Sequence, residues 1–175
     1  MKAWEIYTAD VFGEHPCVLV SCQPRIDAKP QVVVLGCRTM RPANERGPAA
    51  NEVLLDEADG LDLKTLCRCD LLFTVDKAAL GRRRGVVTPA RRREIAQRII
   101  QGLLNVVFTE YSKSWKPVYD IHFEYIRSEM NSQFANIATP SEIVVSTTFT
   151  LEFGGATADM HICFPYSMLE PIRDL

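Results

Sequence analysis

The chain has 175 residues and a formal net charge of −2, from 20 Lys and Arg against 22 Asp and Glu. A hydrophobic fraction of 47% and a charged fraction of 24% are ordinary for a soluble globular protein, and the length allows one ample core or two small ones. The longest apolar run, IIQGLLNVVF, carries Gln101 and Asn105 and is too short and too polar to span a bilayer, so a membrane-spanning helix is not expected.

The start, MKAWEIYTADVF, puts Glu5 where a secretory segment would be apolar, so no export signal and a cytoplasmic chain are expected. The six cysteines are then read as thiols. The Cys67-x-Cys69 pair lacks the two-residue gap of a zinc knuckle, and on a strand the two would share an inward face. No metal or other cofactor is expected.

Up to about residue 90 the chain is a series of short Val-, Leu- and Ile-rich runs: WEIYTADV, CVLVSC, QVVVLGC, EVLLD, LLFTV and GVVT. The turn clusters FGEHP, QPRIDAKP and RPANERGPAAN separate them, which suggests a small antiparallel barrel or sandwich. QVVVLGC is apolar on both faces and is placed centrally. The period then changes. Thr88 is a good N-cap and Pro89 a good first helical residue, and a helix over 89–116 follows, ended by Pro117. Its apolar stripes, Ile95, Ile99, Leu103, Val106 and Val107 beside Ala96, Ile100, Leu104, Phe108, Tyr111 and Trp115, call for cover on more than one side.

Beyond it, VYDIHFEYIRSEM alternates as a strand does, EIVVSTTFTLEF and DMHICF read as two more strands, and Gly154-Gly155 supplies a turn. PYSMLEPIRDL begins a helix with Met168, Leu169, Ile172 and Leu175 on one side. Charge divides along the same line. Residues 1–104 hold 16 Lys and Arg against 13 Asp and Glu, a net of +3, and residues 105–175 hold 4 against 9, a net of −5. Twelve of the sixteen early bases are arginine, the side chain that grips phosphate through two parallel hydrogen bonds. Two halves with different partners are therefore expected.

Two resemblances follow the same division. WEIY, GEHPCVLVS, VVVLGCRTMR, NEVLLDEADGLDLKTLCRCDLLFTVDKAAL and RRRGVVTPARRREIAQRIIQGL resemble, in order, the MazF/PemK family of toxin endoribonucleases. From about residue 99, LLNVVFTEYSKSWKPVY, FEYIRSEMNSQFANIATPSEIVV, TTFTLEFG and HICFPYSMLEPIRDL resemble the second part of the middle domain of the flagellar motor switch protein FliM. The implied organisation is chimera-like and mainly β plus α. A MazF/PemK/CcdB-like, SH3-like small β-barrel with a C-terminal helix occupies 1–104, an incomplete α/β (CheC-like) half-domain occupies 105–175, and the two share the helix 89–116.

The first resemblance implies a dimeric, metal-independent endoribonuclease for single-stranded RNA and a cognate antitoxin that blocks its cleft. Such cleavage needs a proton acceptor, a proton donor and positive groups for the phosphorane. His15, read in a loop between Gly13 and Pro16, stands where most of that family carries an arginine and is the acid/base candidate. The family places Thr or Ser after the third strand to hold the phosphate; Thr39 is of that type, whereas a strict register puts Arg38 there. Arg41 completes the catalytic set, and Arg38, Arg46, Arg82, Arg83 and Arg84 form the RNA-binding set. Each arginine has an ordinary reading as a solvated surface charge. Arg91–Arg93, however, oppose the dipole at a helix N-terminus, which implies a use. Trp4, Tyr7 and Phe12 are candidates for stacking bases, or for the core. His122 and His161 are read as structural. An endoribonuclease is the leading expectation. Its rival is a non-enzymatic, FliM-like assembly module that contacts flagellar rotor components, or an inactive fusion.

Overall fold

In the computed structural model, residues 1–10, 13–129, 133, 138–139, 141–153 and 156–172 are described. Two units result, Met1–Val107 and Phe108–Leu175. Phe12, the turn at Gly154-Gly155 and the expected helix position of Leu175 lie outside the described residues.

All six early apolar runs enter one antiparallel sheet in the first unit. Its strands are β1 Glu5–Asp10, β2 Glu14–Leu19, β3 Gln31–Thr39, β4 Glu52–Leu55, β5 Thr65–Asp76 and β6 Leu80–Val86, in the order β4-β5-β3-β2-β1-β6. β3 is the run that is apolar on both faces, and it lies between β5 and β2. Because side chains alternate along a strand, the sheet feeds two cores. Ile6, Val18, Leu35, Cys37, Val53, Leu55 and Cys67 join one with Val87 and Ile95, while Tyr7, Cys17, Leu19, Val32 and Val34 join the other with Ile26. Ile26 comes from α1 (Gln23–Ala28), a short helix inside what reads in sequence as the turn cluster QPRIDAKP, where Pro24 suits the first turn. β4 and β6 stand at the two ends, and no ladder joins them among the described residues, so the pairing stops short of the closed barrel expected.

The long helix α2 spans Pro89–Trp115. Its start is fixed by a turn that sequence reading passes over, DEADG at 56–60. Asp56 caps a 3-10 turn over Glu57–Asp59, and Gly60 leaves it at φ +83, a left-handed conformation that suits glycine. The turn presses on β6 so closely that a Cβ on Gly85 would lie 2.0 Å from the Asp59 carbonyl oxygen. From there the fully buried Asp59 carboxylate accepts the Thr88 N–H at 2.9 Å and pairs with the Arg91 guanidinium. Arg91 also grips Asp56 with both terminal nitrogens, at 2.6 and 2.9 Å. Arg92 Nε donates to the Val87 carbonyl at 2.7 Å. Of the cations that oppose the helix dipole, Arg91 is thus held by the acidic turn and Arg92 by a backbone carbonyl. Along α2, Ile95 is buried and Ile99 packs beside it, but Ile100, Leu103 and Val106 stay exposed, so the cover expected on more than one side is incomplete.

The second unit is built on aromatic rings. Tyr111 stacks on Phe164 with centroids 6.0 Å apart, lies 5.5 Å from Phe123 and meets Phe149 edge-on at 6.4 Å, while Phe108 stacks on Phe123 and Trp115 meets Phe164 edge-on. Phe149 and Phe164 are carried by β7 (Val144–Phe153) and β8 (Ala156–Pro165), an antiparallel pair in unbroken register. The helix expected after β8 is the short α3 (Tyr166–Leu169) running into a 3-10 turn over Glu170–Ile172. The strand expected in VYDIHFEYIRSEM is absent among its described residues. Ile121, Phe123 and Tyr125 are half-buried between exposed neighbours, so the alternation selects faces, but no neighbouring strand completes a ladder.

Replacing Arg91 by Ala strands the buried Asp59 carboxylate and is expected to cost about 3 kcal/mol in urea unfolding at pH 7. The Arg91 guanidinium, then the Ala58 N–H, hold the Asp56 carboxyl down to about 2 from an ordinary 3.8. A depressed folded value stabilises above the unfolded value, so the Asp56 share is full above about pH 5 and fades as pH falls toward 2. The gap between wild type and Arg91→Ala narrows over that interval. Tyr111→Ala is expected to cost about 2 kcal/mol, with loss of near-UV circular dichroism from the second unit.

Candidate functional site

Two neighbouring pockets in the first unit gather part of the expected site. One, of about 210 Å³, is lined by His15, Cys37, Arg38 and Arg68 with the apolar Ala9, Pro16, Leu71 and Phe73 among its walls. The other, of about 280 Å³, is lined by Arg38, Thr39, Met40, Arg46 and Leu66. Arg38 belongs to both, because it sits near the end of β3 where β5 crosses. His15 is not in a loop as expected. It is the second residue of β2, opposite Ala9 of β1, and it is exposed. Arg41 is also exposed but lines neither pocket, so His15, Thr39 and Arg41 do not converge on one cavity.

Most of the expected RNA-binding arginines have partners within the fold. Arg46 makes a two-pronged pair with Glu52, at 2.7 and 2.8 Å, and this hydrogen bonding is the main reason the Glu52 carboxyl lies below its ordinary value. Arg83 Nε donates to Glu5 at 2.8 Å. Glu5 also receives the Tyr7 hydroxyl and the Lys2 N–H, each at 2.7 Å. Burial pushes the Glu5 carboxyl up, but these donors together leave it lowered. Burial first, then the Glu5 carboxylate, push the Tyr7 phenol up to about 12. Arg84 reaches Asp62 at 3.2 Å. Arg38 and the exposed Arg82 have no recorded ion pair among the described residues. Tyr7 is buried, and Trp4, at φ +70, is held through its backbone to Leu19 and Val87, so both serve the core.

Sequence reading missed Arg68, whose Nε is buried without a hydrogen-bond partner. Only the register of β5 beside β3 brings it to the His15 pocket, and no local pattern signals that. Among the described residues no group of three or more His, Cys, Asp or Glu is placed to hold a metal ion, and no helix is long and apolar enough to cross a membrane. In the second unit, His161 Nδ1 lies 2.9 Å from the Thr148 hydroxyl across the hairpin, and His122 is exposed.

The family profile described as flagellar motor switch protein FliM matches residues 65–175, well over half of the chain. The chain belongs to the FliM family. The FliM protein of Pseudomonas aeruginosa is 44% identical over 78 residues, and that of Escherichia coli is 45% identical over 80; each match covers 45% of this chain and 24% of the relative. The chain thus spans about a quarter of the length of these FliM relatives. A solved endoribonuclease from a Mycobacterial species, in complex with its cognate antitoxin, is similar to 59% of this chain and 94% of its own, at 25% identity and a TM-score of 0.51.

Both halves of the chimera-like resemblance therefore find relatives, but they do not weigh equally. The leading expectation, an endoribonuclease toxin, is overturned. The FliM matches are far stronger in sequence, and the likeness to the endoribonuclease rests on structure at lower identity. The ion pairs agree with this correction, since Arg46, Arg83 and Arg84 are bound to carboxylates of the chain itself. Purified protein incubated with a long unstructured RNA in EDTA is accordingly expected to leave it full length on a denaturing gel, and His15→Ala is expected to change nothing in that assay.

Proposed function

We propose that this FliM-family chain is a non-enzymatic assembly module whose second unit contacts flagellar rotor components in the cytoplasm. The family match over 65–175 carries this reading, because it contains the whole of Phe108–Leu175. The physical character of that unit supports it. β7 and β8 form a sheet of only two strands, so each has an edge free of a third strand among the described residues, and such edges accept further strands. Ile126, Ile143, Val144, Val145, Phe149 and Met168 expose apolar surface around this core. Surface of this kind on a domain segment is the usual mark of an interaction face.

The first unit is read as a scaffold with an SH3-like barrel plan, held by its own ion pairs and joined to the second inside α2. Domain limits of 1–104 and 105–175 fit this reading, with the helix common to both.

The test is co-purification of the full chain with the flagellar rotor proteins of its own organism, followed by native mass spectrometry. A discrete complex that is lost in Ile143→Asp, at a side chain 71% exposed, while the protein keeps its circular dichroism, is expected. A chain that stays alone, or pairs only with itself, sinks the proposal and leaves an inactive fusion.

A further inference from the structure

The pocket beside His15 opens on one face of the sheet, and strand alternation decides what walls it. Side chains two apart share a face, so His15 and Cys17 of β2 lie together, as do Gly36 and Arg38 of β3. The register sets Ala9 opposite His15 and Cys17 opposite Gly36. Arg68, Leu71 and Phe73 complete the wall from β5. The pocket borders the core of Tyr7, Leu19, Val32 and Val34, because Ala9, Cys17 and Phe73 belong to both.

Its interior is apolar. Gly36 leaves space that a side chain would fill, since an added Cβ would lie 3.0 Å from Phe73 Cε2, tighter than ordinary contact. Cys17 is 1% exposed, and burial pushes its thiol up to about 11, so it stays neutral and serves as an apolar wall. Ala9, Pro16, Leu71 and Phe73 add hydrocarbon. The volume is about 210 Å³, and an apolar cavity of about 150 Å³ already admits a benzene ring.

Charge at the pocket is unequal. Arg68 reaches Asp70 at 3.3 Å, and Arg46, of the adjoining pocket, is gripped by Glu52. Arg38 lines both pockets, is exposed, and has no ion pair among the described residues. Asp10 and Glu14, next to Ala9 and His15, alternate to the other face. An unpaired guanidinium beside an apolar pocket suits a carboxylate, because two parallel N–H groups match its two oxygens and its single charge. A bare phosphate gains nothing from the apolar walls.

We propose that this pocket binds a small free carboxylic acid with a compact apolar body, such as an aryl acetate, the body against Pro16, Leu71 and Phe73 and the carboxylate on Arg38. The site lies wholly in the first unit, so it stands or falls apart from the rotor contacts proposed for the second.

The test is a titration of the isotope-labelled full chain with phenylacetate, followed through its amide signals by two-dimensional NMR. Shifts at Gly36, Arg38 and Phe73 are expected, with a dissociation constant of about 1 mM for one exposed ion pair and a modest apolar area. Phenylacetamide, which lacks the charge, and acetate, which lacks the body, are each expected to bind about tenfold more weakly. Arg38→Gln is expected to weaken phenylacetate about tenfold, and Gly36→Ala to weaken it by crowding Phe73. No shift at about ten times that concentration, shifts centred elsewhere, equal binding of phenylacetamide, or tighter binding of inorganic phosphate overturns the proposal. So does tighter binding of glycylglycylphenylalanine, which would make the natural ligand a peptide end. The comparisons on the wild-type chain decide this whether or not the variants fold.

Discussion

One guanidinium organises the first unit. Arg91 lies in the first turn of a long helix, where a cation is unfavourable beside the helix dipole, and the fold answers with two carboxylates from a distant turn, Asp56 and Asp59. A buried carboxylate is costly unless it is paired and hydrogen-bonded, and Asp59 has both the arginine and the Thr88 N–H. Because that turn also rests on Gly85 of β6, one cluster fixes the helix to the sheet and sets the direction in which α2 leaves it.

The same logic explains a surface that reads, in sequence, as one made for phosphate. Arginine runs at 82–84 and 91–93 and the isolated Arg46 give residues 1–104 their positive balance. In the folded chain Arg46, Arg83, Arg84 and Arg91 each face a carboxylate, so their charge is spent within the unit before any polyanion arrives. Arginine at a domain surface is as suited to carboxylate as to phosphate, and its count in a sequence does not say which. Here the carboxylates were present in the same sequence, but 6 to 78 residues away along the chain.

Legibility followed the range of the interactions. Runs such as EIYTAD and QVVVLGC announce strands because alternation and β-branching act locally, and Thr88-Pro89 announces a helix start for the same reason. The segment IHFEYI shows the converse. Its alternation is genuine and its faces are sorted, yet a strand needs a neighbour, and that cannot be read from the segment itself. In QPRIDAKP the two prolines and the polar residues signal a turn and mask α1, although Pro24 is well placed in a helix's first turn. At the candidate site, His15, Arg38 and Thr39 could be singled out by type, but which of them share a pocket, and that Arg68 joins His15, follows from the pairing of β3 with β5. The functional error had the same source. A resemblance that spans a whole small domain is favoured in sequence over one that spans part of a larger protein, although the partial match is the denser in sequence.

The proposed function implies a division of labour between a first unit whose arginines are largely paired within it and an aromatic second unit whose two-stranded sheet has no third strand among the described residues. Hydrogen-exchange mass spectrometry of the full chain, with and without the flagellar rotor proteins of its organism, examines this division most directly. New protection in β7, β8 and the helix from Phe108 onward, with Met1–Val107 unchanged, is the expected result. Protection confined to β1–β6 and the pockets around Arg38 would contradict it.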